Sequence, residues 1–78
     1  MTREDFQAHV RAIVALELAE VSDLGVLFEK EWNGAWPVKV SVAGRGAVRE
    51  SFFATGDTRL VDAFVHRLIQ KVRALLDL

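Results

Sequence analysis

The chain predicts an α+β fold: a three-stranded antiparallel meander with one helix before it and one after it, both helices packed on the same face. Three observations carry that expectation. Apolar residues recur every three to four positions at both ends, they alternate with polar ones in the middle, and Asn33-Gly34 and Gly44-Arg45-Gly46 punctuate the alternating stretches.

From Arg3 to about Val21 nearly every residue is a good helix former, with no Gly or Pro. Phe6, Val10, Val14, Leu18 and Val21 form one apolar face. Ala8, Ala12, Ala15 and Ala19 form a second stripe on the opposite side, small enough for a close neighbour. Ser22-Asp23-Leu24-Gly25 supplies turn chemistry, with Gly25 expected in a left-handed conformation just past the helix end.

Val26 to Trp32 reads as the first strand, with Val26, Phe28 and Trp32 on one side and Leu27, Glu29 and Glu31 on the other. Trp36 to Ala43 reads as the second, with Val38, Val40 and Val42 inward and Lys39 and Ser41 outward. A two-residue Asn-Gly turn would pair Phe28 with Lys39 on the same face. A three-residue loop of Asn33, Gly34 and Ala35 instead pairs Trp32 with Trp36, Phe28 with Val40 and Val26 with Val42, and this longer loop with a bulge is the expectation. Val48 to Thr55 is the third strand, in which adjacent Phe52 and Phe53 point to opposite faces, so only one can enter the core.

Thr55, Asp57 and Thr58 are candidate N-caps for the last helix. Its residues Leu60, Val61, Phe64, Val65, Leu68, Ile69, Val72, Leu75 and Leu76 cover a wide apolar arc, opposite Arg59, Asp62, His66, Gln70 and Arg73.

Composition bounds the functional classes. With 51% hydrophobic and 27% charged residues, the chain lies outside the disordered regime and reads as one domain, residues 1–78. The absence of cysteine leaves no disulfide or thiolate metal site, which suits a reducing compartment, and the cytoplasm is expected. The first residues are charged and no apolar run approaches the roughly 20 residues of a membrane span, so neither secretion nor insertion is expected. The net charge of −1 is uneven: residues 1–31 carry three basic and seven acidic side chains, a net of −4, and the rest carry seven basic and four acidic, a net of +3.

Candidate chemistry is sparse. His9 and His66 each follow an aspartate by four residues, Asp5 and Asp62, a spacing expected to give solvated ion pairs within each helix rather than a zinc site. Glu17 falls near the middle of the first apolar stripe and is expected to sit at its rim. No nucleophile or phosphate-binding loop accompanies it, so no enzyme, metal or cofactor is expected. Arg45 lies at a tight turn where it can meet a phosphate or carboxylate, and Trp32 and Trp36 flank the first hairpin, where tryptophan serves as a recognition anchor. Arg59, His66 and Arg73 lie within about 40° of one another on a helical wheel and form a candidate partner-facing strip. The expected partner-binding residues are therefore Arg59, His66, Arg73, Arg45 and Trp36.

The order helix, strand, strand, strand, helix resembles the double-stranded-RNA-binding domain fold. The stretch from Val40-Ser41-Val42-Ala43-Gly44 through Thr55-Gly56-Asp57, with the Leu60 to Leu76 helix, also resembles the C-terminal part of ribosome hibernation factors. Both resemblances are of pattern and imply a fold. RNA-binding members of the first family carry a lysine-rich cluster at the start of the last helix, where this chain reads Thr55-Gly56-Asp57-Thr58-Arg59, so no binding residue carries over. In size and class the chain also looks like small phage-encoded inhibitors, including anti-CRISPR proteins. The functional expectation is a non-enzymatic protein-interaction module, an adaptor or inhibitor, able to form a homodimer. Nucleic-acid binding through the basic last helix comes second, and a small enzyme is a distant third.

Overall fold

The computed structural model describes residues 1–53 and 59–76. Five elements follow in the order α1 (Arg3–Glu17), β1 (Leu24–Phe28), β2 (Ala35–Val42), β3 (Gly46–Phe53) and α2 (Arg59–Leu75). The strands form one antiparallel sheet in the order β1-β2-β3, so the α+β class and the αβββα order are as the sequence predicts.

Helix α1 begins with a capping box. The Thr2 hydroxyl accepts from the Asp5 amide at 3.1 Å, and the Asp5 carboxylate accepts from the Thr2 amide at 3.4 Å, which satisfies two end donors reciprocally. The helix stops at Glu17, four residues before the predicted end. Leu18 leaves the helical region (φ −118°, ψ 33°) yet stays buried, and its carbonyl accepts from Val21, so the chain turns while keeping both apolar side chains against the core. An external cap accompanies the early stop. Arg73 of α2 donates to the Glu17 carbonyl at 3.1 Å, supplying a donor and a positive charge at a helix C-terminus. Gly25, expected as a left-handed helix stop, is instead in β1 and is absent from the residues with positive φ. A Cβ there would lie 3.1 Å from the Ser41 hydroxyl, so close approach of β2 accounts for the glycine.

The first hairpin corrects the expected register. Asn33 and Gly34 form a two-residue turn, both with positive φ (49° and 77°), and Trp32 and Ala35 exchange two backbone hydrogen bonds across it, at 3.1 and 2.9 Å. Further along, Phe28 pairs with Val38, Val26 with Val40 and Leu24 with Val42. Both halves fit only because Lys30 and Glu31 together oppose the single residue Trp36, between the Glu29–Pro37 hydrogen bond and the Trp32–Ala35 bridge. The extra residue that keeps the apolar sets together thus sits in the strand as a bulge and not in the loop. A one-residue insertion reverses the face of everything beyond it. Trp32 therefore shares a face with Ala35, not with Val26 and Phe28 as the alternation predicts.

Pro37 lies in the central strand, a position that costs a ladder donor. Its carbonyl accepts from the Glu29 amide at 3.2 Å, but it has no N–H to return to the Glu29 carbonyl. The Arg3 guanidinium donates to that carbonyl instead and ties the start of α1 to the end of β1.

The core draws on every element. Phe6 is fully buried at the centre of an aromatic cluster, 5.1 Å from both Trp36 and Phe52, 5.9 Å from Phe64 and 6.3 Å from Phe28 between ring centroids. Val10, Val14 and Leu18 join Val38, Val40 and Val42 of the sheet and Val61, Val65, Leu68, Ile69 and Val72 of α2 in the same cluster. Phe52 is the member of the Phe52–Phe53 pair that enters it. Among the described residues no helix is long and apolar enough to cross a membrane.

Candidate partner-binding surface

The sheet has two unlike sets of side chains. On the buried set, Val38, Val40, Val42, Trp36 and Phe52 belong to the core. In the alternate set, Leu27 pairs with Lys39, Lys39 with Arg49, and Ala35 with both Phe53 and Trp32. Directly paired residues in an antiparallel sheet project on the same side, so these six share the outer face. Trp32 is 73% exposed, Phe53 64% and Leu27 56%, while Ala35 is buried between the two aromatic positions. Pro37 of this set is also buried, and Lys39, Arg49 and Ser51 are exposed.

Three large apolar side chains left in water on one face of a sheet are unusual in a chain of this size, since isolated exposed residues are common but grouped ones mark interfaces. The apolar strip runs Trp32, Ala35, Phe53 across the end of the sheet. It continues round β3 into an open groove of about 270 Å³, lined by Ser51, Phe52, Phe53, Leu60, Ala63, Phe64 and Arg67. Among the described residues no carboxylate or histidine lines that groove.

The charges of the outer face are partly answered. Arg49 pairs with Glu29: Nη2 donates to Oε2 at 3.0 Å, and Nε lies 2.6 Å from Oε1, which accepts no hydrogen bond. Lys39 makes no ion pair among the described residues.

The residues singled out from the sequence scatter. Trp36 is only 8% exposed and its Nε1 donates to Glu31 at 2.5 Å, so the exposed tryptophan of the pair is Trp32. Arg45 is exposed at the β2–β3 turn, between Gly44 and Gly46, both at positive φ, and its amide donates to Val42. Arg59, His66 and Arg73 are all exposed on α2, but Arg73 is engaged by the end of α1 through the Glu17 carbonyl and, at 3.6 Å, its carboxylate. Glu17 thereby sits at the rim of the apolar stripe. Arg67 and Lys71 are likewise drawn inward, both to Glu50 of β3, at 2.9 and 3.0 Å. Hydrogen bonds from Lys71 and then Arg67 hold the Glu50 carboxyl below the usual carboxylate range.

His9 departs from its expected pairing within the helix. Its Nε2 meets Asp62 of α2 at 2.7 Å, so the pair bridges the two helices instead of stapling one. Among the described residues no three His, Cys, Asp or Glu side chains gather as metal ligands would. The candidate N-caps Thr55, Asp57 and Thr58 lie outside the described residues.

Sequence reasoning identified the Phe52–Phe53 split but not Trp32 as an outer-face residue. The signal that could have found it was Asn33-Gly34 itself, the preferred two-residue turn, which forces a compensating bulge once the valines of β2 must face Val26 and Phe28. Compared with known proteins, the sequence matches no family model and no curated protein, and the fold matches no solved structure.

Proposed function

We propose that the chain is a non-enzymatic protein-interaction module, an adaptor or inhibitor, that engages its partner through the outer face of the sheet while α1 and α2 both cover the inner face. The observation that carries this reading is the exposure of Leu27, Trp32 and Phe53 on one face. Aromatic anchors of this kind dominate binding energy in protein interfaces. Nucleic-acid recognition through the last helix draws less support, because Arg67, Lys71 and Arg73 are held by carboxylates of the same chain.

Affinity capture from the native host, or from its cells under phage infection, with wild type and a Trp32→Ser/Phe53→Ser double variant in parallel tests the reading. The expected result is a discrete protein captured by wild type and lost from the variant, with the variant's melting temperature within a few degrees of wild type. Equal capture by both would redirect attention to Arg59, His66 and Arg73. Self-association belongs to the same proposal, and sedimentation equilibrium that found only the 8.7 kDa monomer at high micromolar concentration would remove it.

A further inference from the structure

We infer that the partner seated on the outer face is a protein segment carrying an apolar side chain for the Trp32–Ala35–Phe53 strip and a carboxylate for Lys39. The inference rests on the interaction reading above and specifies its chemistry. Ala35 and Lys39 lie four residues apart on the same face of β2, a separation of about 13 Å at the rise of a strand. Lys39 is flanked across the sheet by Leu27 on one side and by Arg49 on the other. Arg49 is already answered by its ion pair with Glu29, which leaves Lys39 as the cation of this face without an acidic partner among the described residues. One unanswered ammonium beside Leu27, with an aromatic strip at fixed distance, complements one carboxylate and one apolar anchor.

Two other occupants fit less well. A nucleic-acid strand places a phosphate at every nucleotide and is held by a row of cations. Here Lys30 lies between Glu29 and Glu31 just before Trp32, Arg49 is paired with Glu29, and Lys39 stands apart, so the cations do not form such a row. A second copy stacked face to face about a two-fold axis would lay central strand over central strand. With the axis near the middle of that strand, Lys39 would then meet its own like charge, which opposes that pairing and leaves self-association to other surfaces.

A library of random peptides displayed on phage and selected on the wild-type chain supplies the probe. Enriched peptides are expected to share an aromatic or large aliphatic residue and an Asp or Glu. Their affinity should weaken as salt rises, should fall by about tenfold or more in Lys39→Glu, and should persist in Lys39→Arg. It should be lost in Trp32→Ser/Phe53→Ser with the thermal transition retained. Peptides that lack an acid and bind Lys39→Glu as tightly as wild type would overturn this inference and leave the interaction reading standing. Peptides that bind the Trp32→Ser/Phe53→Ser variant unchanged, or a library that yields no binder, would overturn both. An oligouridylate titrated in parallel should not bind; binding that Trp32→Ser removes would assign the face to nucleic acid and end the proposal.

Discussion

The two faces of the sheet receive the same kinds of residue and treat them in opposite ways. Trp36 and Phe52 lie in the core beside Phe6, whereas Trp32, four residues earlier, and Phe53, the next residue, stand in water. Hydrophobicity does not separate the members of either pair. What separates them is phase: strand geometry sends neighbours Phe52 and Phe53 to opposite sides, and the bulge at Lys30 and Glu31 moves Trp32 out of step with Phe28. Residues that a composition count would assign to one core are thus divided between stabilising the fold and presenting a surface.

The most severe way to break that comparison is to shift the phase itself. Deleting Leu27 would move Val26 and Leu24 onto the outer face or, if the bulge is lost in compensation, Phe28, and in either case the chain should lose its cooperative thermal transition by circular dichroism. Deleting Lys30 removes the bulge residue while preserving both Phe28 opposite Val38 and Trp32 opposite Ala35, so it should fold with a loss of about 1 kcal/mol. Equal damage from the two deletions would refute the bulge account.

Substitution sharpens the contrast next. Phe52→Ala empties part of the aromatic cluster and should cost about 3–5 kcal/mol in urea unfolding, close to the whole stability of so small a domain. Phe53→Ser, one residue on, should change stability by about 0.5 kcal/mol or less. Comparable losses at both positions would mean that the outer face is covered in the free chain.

The link between α1 and the sheet should give a smaller effect. Arg3→Ala leaves the Glu29 carbonyl without the donor that Pro37 cannot supply, at a cost of about 1 kcal/mol. Pro37→Ala in the same background restores a backbone N–H, and recovery of stability in the double variant would establish the connection.

The smallest expected effect depends on pH. Glu50 has a lowered carboxyl pKa in the folded state, so the folded chain binds that proton less readily than the unfolded chain. Its contribution is fully present above the ordinary carboxylate pKa and is lost as pH falls through the lower folded value. The stability gap between wild type and Glu50→Gln should therefore be widest near neutrality and shrink in acid, followed by urea midpoints across pH. A gap independent of pH would show that Arg67 and Lys71 pack over Glu50 without sensing its charge.

The order of elements was legible because apolar period alone sets it: the four-and-three spacing of Phe6 to Val21 and Leu60 to Leu76, and the alternation through Val38, Val40 and Val42, each bury one face in one conformation. The split of Phe52 and Phe53 was legible for the same reason. Boundaries and register were not. Arg73 reaches the end of α1 from 56 positions away, His9 prefers Asp62 of the other helix to Asp5 of its own, and the extra residue of the first hairpin could lie in the loop or in the strand with either choice aligning valines with Val26 and Phe28. Local pattern by itself thus determined which segments are helix and strand and which side chains can share a face. Only the tertiary structure decided where α1 stops, which tryptophan is buried and which surface remains open, because those outcomes depend on hydrogen bonds and packing between residues that the sequence keeps apart.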